Sequence, residues 1–562
     1  MSMIEAFPPG LVLIIGSIAI PFLRGVLQKV WILSLPVLTI ILVSGVPIGS
    51  VAYVSFLDYI LIPVKCDSLS RLFAIIFSIM AFAGGLYSLN HYRPYEITAA
   101  FIYAGSAIGV IFSGDLLTLF LFWELMAIGS TVILLTSGTS QALKAAMRYL
   151  TVHIIGGSLL LFGIIAYTSG TGDLTFTSMQ LNSFATWFIL IGFLINAAAV
   201  PISAWLPDAY PEASPGGMVF LSAFTTKTAV YVLIRGFSGT DFLIYIGLGM
   251  IFYGIIYALL ENDMRRILAY SIVNQVGFMI TGVGIGTEMA LNGAAAHAFT
   301  HIIYKALLLM SAGSVLMMTG KRKCTDLGGL FQSMPLTTVC GIIGALSISS
   351  FPLTSGFISK TMISQAAADE TLTTVYFLLA AASAGVFLHA GIKFPWFVFF
   401  QKDSGLRPPD PPMNMKLAMI FFSALCIGIG IFPEALYGLL PYSVDYIPYK
   451  GAKVIGTLQL LMFSGLAFFI CLPLMKRTLT ISLDFDWFYR KALPWIIQEL
   501  RNLLGPLDQK IRVSIINKTK KTSSYIFRYA RPNGALARTI QAGSMVFWAV
   551  TLLVIYLLIH LI

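Results

Sequence analysis

The sequence predicts an all-α polytopic membrane protein with about 14–16 transmembrane helices. Only 10% of the 562 residues are charged and 58% are apolar, whereas about 25% of a typical soluble domain is charged. Apolar runs of roughly 17–25 residues, each long enough to cross a bilayer, recur along the chain. They lie near 8–24, 30–50, 69–89, 97–113, 115–136, 143–168, 184–206, 217–236, 242–261, 266–286, 294–318, 336–362, 372–400, 416–434, 454–475 and 540–562.

Two of the apolar segments carry helix-breaking residues in their middle. Residues 196–216 hold four prolines, and residues 347–360 hold one proline in a Ser- and Thr-rich stretch. Unwound backbone at membrane depth is tolerated only where protein or a water-filled cavity satisfies it. A pair of broken helices in equivalent places is typical of inverted-repeat transporters. Because the two segments are five helices apart, we predict two inverted five-helix repeats.

These patterns divide the chain into six predicted regions. We expect N-terminal transmembrane helices over 1–96, a first repeat over 97–236, a second repeat over 242–400, C-terminal transmembrane helices over 401–475, a basic amphipathic lateral helix over 476–535 and a final transmembrane helix over 540–562.

The distribution of basic residues predicts the orientation in a prokaryotic inner membrane. Cytoplasmic loops of membrane proteins are enriched in Lys and Arg, so the odd-numbered loops are predicted to be cytoplasmic and the N-terminus outside. The first helix has no basic segment before it, and we expect it to be retained rather than cleaved as a signal peptide. The basic residues of the odd-numbered loops are Arg24, Lys29, Arg93, Lys144, Arg148, Arg265, Arg266, 321–323, Lys402 and Arg407.

The segment from Lys476 to Arg538 differs from the rest, with 13 basic and 4 acidic residues. Its apolar residues keep helical spacing from 493 to 511, interrupted near Gly505 and Pro506, which predicts an amphipathic surface helix. Two interpretations stay open. The helix lies in the interface and binds anionic lipid, or it braces this protein or a partner subunit.

The sequence favours neither a redox centre nor a nucleotide site. Its five cysteines form no CxxC pair or metal-binding spacing. No phosphate-binding loop, dinucleotide fingerprint or haem attachment motif occurs. We therefore expect no cofactor and no metal site, and partners limited to membrane subunits, lipids and ions, with no nucleic acid.

Ionisable residues inside predicted spans carry the functional signal. Glu124, Lys227, Lys305 and Lys360 lie in four separate apolar segments. A charged group in a membrane helix costs several kcal/mol, so such residues usually mark ion or proton pathways. His297 and His301 precede Lys305 at intervals of four residues, which places the three near one helix face.

Each of these residues also has a structural interpretation. The four charged residues could form ion pairs, and His153 could be a hydrogen-bonded packing residue. His389 and Lys393 lie near a helix end, where Lys393 could extend to the interface. The acidic residues Asp115 and Asp208 lie at helix ends and are expected to cap or orient.

The chain resembles the antiporter-like membrane subunits shared by respiratory complex I and the Mrp cation/proton antiporters, with the Mrp D-type subunit most similar. The resemblance covers roughly residues 60 to 400. The matching motifs are "FWE" 122–124, "WLPDAYPEASP" 205–215, "FLSAFTTKTAVY" 220–231, "DMRRILAYSIVNQVGFM" 263–279, "HAFTHIIYKALLLMSAGSV" 297–315 and "SSFPLTSGFISK" 349–360.

The resemblance implies a proton relay along a central hydrated axis between two half-channels. It assigns the relay to Glu124, Lys227, Lys305 and Lys360, supported by His297 and His301. One position departs from the family, which carries a lysine on the seventh helix as partner to the glutamate. Asn196 stands there in this sequence.

A nearby basic group, such as Lys227, Arg148 or His153, could substitute for the missing lysine, or this half-channel works differently. At the start of the tenth helix, Arg265 stands where some members have lysine. Because arginine does not readily lose its proton, Arg265 is expected to be an anchor.

The leading functional hypothesis is a proton-translocating, cation (Na+)/proton-exchanging subunit of a multi-subunit membrane complex. One alternative is a proton-pumping membrane subunit of an NADH:quinone or hydrogenase-type oxidoreductase. Another is the membrane partner of an inorganic-carbon uptake module. A purely structural subunit is disfavoured by the cost of the buried charges.

Overall fold

The computed structural model describes residues 7–57, 59–90, 93–473, 484, 487–530 and 542–561. Thirteen helices among the described residues are long and apolar enough to cross a membrane, and three shorter apolar helices accompany them. Fourteen of these 16 segments match the predicted spans to within several residues, whereas Phe184–Asn196 and Pro335–Ile348 end 10 and 14 residues before the predicted ends. The prediction of an all-α polytopic membrane fold is confirmed.

The helices and strands follow one another in a simple order, and the chain divides into two compact units, Met1–Asp486 and Trp487–Ile562. The elements of the first unit are α1 Gly10–Ile18, α2 Gly25–Gly45, β1 Val51–Phe56, β2 Tyr59–Lys65, α3 Ser68–Ser88, α4 Pro94–Phe112, α5 Leu116–Thr136, α6 Ser140–Thr171, α7 Phe184–Asn196, α8 Trp205–Ala209, α9 Pro215–Leu221, α10 Thr225–Gly236, α11 Phe242–Leu260, α12 Met264–Ile285, α13 Glu288–Thr319, α14 Pro335–Ile348, α15 Ser355–Asp369, α16 Thr373–Val386, α17 Met413–Ile431, α18 Glu434–Tyr437 and α19 Gly451–Ile470. Two π-helical segments, Phe387–Lys393 and Trp396–Phe400, continue α16. The second unit contains α20 Leu493–Ala530 and α21 Ala542–Leu561.

An antiparallel hairpin of β1 and β2 interrupts the N-terminal helices, where the sequence predicts only helices and loops. Both strands are rich in β-branched and aromatic residues, which favour extended backbone. The hairpin contacts the helices at Asp115, whose carboxylate accepts a hydrogen bond from the backbone N–H of Ile62 at 2.6 Å.

Both predicted helix breaks are present. After α7, Ala198 adopts a left-handed backbone conformation, and helix resumes at α8. After α14, Ser350 and Leu353 adopt the same conformation before α15 begins. L-residues rarely take this conformation and cannot continue a right-handed helix through it.

A third break separates α9 from α10, where the sequence predicts an unbroken span over 217–236. No proline or glycine marks residues 222–224. Here a side chain takes the place of a backbone donor, because Lys227 Nζ donates to the carbonyl oxygen of Ser222 at 2.6 Å.

Helices α4 to α6 and α11 to α13 repeat the same plan 148 residues apart. Helices α4 and α11 have 19 residues each, and α6 and α13 have 32 each. Asp115 and Asp263 cap α5 and α12, and they form isolated β-bridges with Thr175 and Lys323. Both members of the second pair lie 148 positions after those of the first. Because five crossings are an odd number, the second repeat runs through the membrane in the opposite direction.

The tail prediction needs one correction. Helix α20 continues through Pro506, whereas the sequence predicts an interruption at that point. A proline removes one intrahelical hydrogen bond and commonly bends a helix without ending it. Residues 476–483, 485–486 and 531–535 of the predicted lateral helix lie outside the described residues.

Arginines hold the two repeats together at the loop before α9. The guanidinium of Arg265 on α12 is buried and donates to the carbonyl oxygens of Pro211, Ala213 and Ser214 at 2.8–3.0 Å. Arg322 bridges the same region, because it bonds both Glu212 and Asp263. Arg265 therefore serves as an anchor between the repeats.

Replacement of Arg265 by Gln is expected to lower the free energy of unfolding by about 3 kcal/mol, because buried carbonyls lose their donors. Denaturation of the purified protein in detergent measures the change. Arg407→Gln is the control, since Arg407 forms an exposed ion pair with Asp403. Equal stability of the two variants would contradict the anchoring role.

Candidate functional site

The predicted relay residues fall into a tightly buried group and one separate carboxylate. Lys227, Lys305, His297 and His301 are fully buried, and Lys360 is 2% exposed. Lys305 follows His301 by one turn of α13, and α10, which carries Lys227, packs against α13. The Phe278 ring lies between the Lys360 ammonium, 4.6 Å from its centre, and the His297 ring, whose centre is 6.2 Å away.

The second repeat supplies the histidine ladder from α13. His297 uses both ring nitrogens: Nδ1 lies 2.9 Å from Ser359 Oγ, and Nε2 lies 3.1 Å from Gln275 Oε1. The hydroxyl of Tyr304 donates to the same Gln275 oxygen at 3.1 Å. One turn further along α13, His301 has no hydrogen-bond partner for either nitrogen among the described residues.

The ammonium groups of Lys305 and Lys360 donate hydrogen bonds to neutral oxygen atoms. Lys305 Nζ donates to Ser271 Oγ at 2.9 Å and to the Leu268 carbonyl oxygen at 3.2 Å. Lys360 Nζ donates to the Ile348 carbonyl oxygen at 2.9 Å, at the end of α14. It also lies 4.6 Å above the centre of the Phe278 ring, in a cation–π contact.

The two lysines that lie next to helix breaks make the same kind of hydrogen bond. Lys227 donates to the carbonyl oxygen of Ser222, and Lys360 to that of Ile348. Each carbonyl lies where a helix stops, so its oxygen lacks the usual intrahelical donor. In the described part of the chain, no salt bridge involves Lys227, Lys305 or Lys360. The ion-pair interpretation of these lysines is therefore wrong for the described residues.

The separate carboxylate is Glu124 on α5, which is partly buried. Its Oε1 atom has no hydrogen-bond partner among the described residues. The carboxylate rests against Gly157 of α6, where a Cβ atom would overlap Oε1. Asn196, at the position of the missing lysine, is 1% exposed, and neither atom of its amide is bonded to a described residue.

Several other polar residues have structural tasks. Asp115 caps α5, and Asp208 forms a bidentate ion pair with Arg148 at 2.7 and 2.9 Å. Lys393 does not extend to the interface: it is 6% exposed. Its ammonium donates to three carbonyl oxygens at the end of α11, including that of Ala258 at 3.1 Å. No sequence signal marks this cap, because Lys393 and α11 are far apart in the chain.

The described residues include no group of three or more His, Cys, Asp or Glu side chains placed to hold a metal ion. The side chains of the predicted relay are amines, imidazoles and one carboxylate, and all three kinds of group can bind and release a proton.

The comparisons with known proteins agree with this geometry. Residues 113–388 match the family described as NADH:quinone oxidoreductase/Mrp antiporter, transmembrane. The chain is 29% identical over 351 residues to the D-type subunit of the Na+/H+ antiporter of Alkalihalophilus pseudofirmus, an alignment covering 58% of this chain and 71% of that protein. It is 27% identical over 404 residues to the A/B-type subunit of a probable K+/H+ antiporter of Rhizobium meliloti, covering 66% and 40%. It is 24% identical over 417 residues to hydrogenase-4 component B of Escherichia coli, covering 65% and 62%.

Solved structures show the same fold. A chain of the Mrp complex from Dietzia sp. DQ12-45-1b superposes with a TM-score of 0.68 at 20% identity, covering 81% of this chain and all of that one. A chain of the membrane-bound sulfane sulfur reductase, an archaeal respiratory complex, gives 0.70 at 23% identity, covering 82% and 99%. The predicted resemblance is confirmed, and the protein is a multi-pass membrane protein.

Replacement of Lys305 by Met is expected to raise the free energy of unfolding by about 1 kcal/mol or more, because it removes a buried charge without an anionic partner. Thermal denaturation in detergent tests this. Lys29→Met, which removes an exposed lysine bonded to Asn90, is the matched control and should change little. A less stable Lys305→Met protein would show that the ammonium is stabilised in the fold.

Proposed function

Since the membrane core of this chain belongs to the NADH:quinone oxidoreductase/Mrp antiporter family, we propose that it is a proton-translocating, cation/proton-exchanging subunit of a multi-subunit membrane complex. One observation carries the proposal. Lys227, Lys305 and Lys360 are buried, and none has an anionic partner among the described residues. Such groups are costly in a membrane protein unless protons or ions pass through them. The names of the relatives support Na+ or K+ as the exchanged cation.

The proposed relay runs through Glu124, Lys227, Lys305 and Lys360. An amine whose partners are neutral oxygen atoms can exchange its proton, because no ion pair fixes its charged form. His297 and His301 support the relay beside Lys305. His297 links α13 to α12 and α15 through Gln275 and Ser359.

A second candidate is a proton-pumping membrane subunit of a respiratory oxidoreductase. The similarity to hydrogenase-4 component B and to a chain of the sulfane sulfur reductase complex favours it. Co-purification separates the candidates: stable capture of flavin or iron–sulfur subunits supports the oxidoreductase. Capture of membrane subunits alone supports the antiporter. A zinc-containing soluble partner would indicate an inorganic-carbon uptake module.

We further propose an N-terminus outside the cell, because this orientation places most of the basic loops in the cytoplasm, in agreement with the positive-inside rule. The apolar and basic residues of α20 suit an interface rich in anionic lipid. For the domain limits we keep the prediction from the sequence, with repeats over 97–236 and 242–400.

Replacing Lys305 or Lys360 by Ala is expected to slow pH-gradient-driven cation exchange about 100-fold, because a proton-transferring group contributes a factor of this size. The rate is measured with a pH-sensitive dye in membrane vesicles from cells that express the whole complex. Lys29→Ala is the control, and immunoblots verify equal protein. Wild-type exchange in both axis variants would refute the relay.

The contact between Glu124 and Gly157 gives a sterically defined test. Gly157→Ala is expected to reduce exchange about tenfold, because the new methyl group displaces the carboxylate and a shift of about 1 Å in a reacting group has large effects. Gly170→Ala on the same helix is the matched control, since nothing lies within 4 Å of its added Cβ. Equal rates in the two variants would show that the position of the Glu124 carboxylate is unimportant.

A further inference from the structure

The first repeat presents an incomplete proton path. Glu124 has no hydrogen bond or charged partner among the described residues, and Asn196 cannot titrate. An isolated carboxylate can release its proton inward only if a neighbouring group accepts it. The sequence leaves three basic residues as candidates for that group.

Two of the candidates are engaged elsewhere. Arg148 forms a bidentate ion pair with Asp208, and its guanidinium does not give up a proton. Lys227 donates to the Ser222 carbonyl oxygen and to Thr226 Oγ1, at the break between α9 and α10. Its helix, α10, packs against α13, which carries His301 and Lys305.

His153 remains, and its geometry suits a proton acceptor. It is 3% exposed, and its Nδ1 lies 2.9 Å from the carbonyl oxygen of Tyr149. Because a carbonyl oxygen only accepts, Nδ1 carries the hydrogen of the neutral ring, and Nε2 carries the lone pair. Nε2 has no hydrogen-bond partner among the described residues.

His153 is linked through its neighbours to both polar groups that lack a partner among the described residues, Glu124 and Asn196. On α6 it is one turn before Gly157, against which the Glu124 carboxylate rests. The centre of the His153 ring lies 4.7 Å from the centre of the Trp205 ring. The Trp205 indole donates to the carbonyl oxygen of Ile195, the neighbour of Asn196.

The internal repeat supplies an independent argument. His153 and His301 are 148 positions apart, at equivalent places in α6 and α13. Gly157 is equivalent to Lys305 by the same shift, so the Glu124 carboxylate packs in one repeat where the other repeat has the Cβ atom of a lysine. Each repeat thus places a buried histidine one turn from its charged group.

We propose that His153 exchanges protons with Glu124 in the first half-channel, in place of a lysine at position 196. This inference rests on the proposed function. The Glu124 carboxylic acid gives its proton to Nε2, directly or through water beside the Asn196 amide. A carboxylate and an imidazolium result, with no net change in charge. The imidazolium then passes that proton from Nε2 to water in the proposed half-channel, which restores neutral His153, and the Glu124 carboxylate takes up the next proton from water on its other side.

The test is an exchange assay on His153→Gln and on the double variant His153→Gln/Asn196→Lys in the native complex. Gln keeps a similar size and hydrogen-bonding capacity but cannot titrate. We expect exchange to fall about 100-fold in the single variant and to return to within about tenfold of wild type in the double variant. Lost packing alone would not be restored by a lysine on another helix.

Glu124→Gln and Lys305→Ala are assayed alongside. Full exchange in His153→Gln, with both of these variants inactive, would overturn the role of His153 and leave the relay intact. Loss of exchange that the second substitution does not restore would also overturn it, since His153 would then be structural. Full exchange in Glu124→Gln and Lys305→Ala would overturn the proposed function itself.

Discussion

The cost of placing an ammonium group inside a membrane protein is the constraint on which this architecture depends. The ammonium groups of Lys227 and Lys360 donate hydrogen bonds to carbonyl oxygens at helix breaks, and these bonds offset part of the cost. Lys305 donates to a serine hydroxyl and to a carbonyl oxygen of α12. A carboxylate partner would fix the charge by a strong ion pair. Neutral oxygen atoms stabilise an ammonium less, so its proton stays exchangeable. The helix breaks therefore provide hydrogen-bond acceptors for Lys227 and Lys360 without providing counter-charges.

Contacts elsewhere in the fold hold these helix breaks in place. Helices α5 and α12 begin at equivalent aspartate caps, and each cap is tied by a β-bridge to the chain after the long helix of its repeat. Arg265 crosses from the second repeat and binds carbonyl oxygens just before α9. Gly430 of α17 packs so closely on the backbone of Thr354 that a Cβ atom would not fit. Both irregular segments are thus held by buried contacts, as exposed backbone in a membrane requires.

The long apolar runs of the sequence predicted nearly all spans, because the thickness of the membrane fixes the length of a spanning helix. The breaks after α7 and α14 were predictable from Pro, Ser and Thr residues. The break before Lys227 was not, since it depends on a side chain of the next helix and no residue type marks it. The axis residues were found from the cost of their burial. Their partners, such as Ser359 for His297, and the cap that Lys393 makes on α11 depend on tertiary packing. Neither could be deduced from one sequence.

The repeat explains why one axis can hold groups of opposite charge. In α13 the charged group belongs to the long helix itself, at Lys305. At the equivalent place α6 has Gly157, and the gap is filled from α5 by Glu124. One backbone plan therefore presents an amine in one repeat and a carboxylate in the other. The carboxylate attracts cations and the protonated amines repel them, so the two repeats differ in electrostatic character although their backbones are alike. The absence of a side chain at Gly157 makes room for this difference.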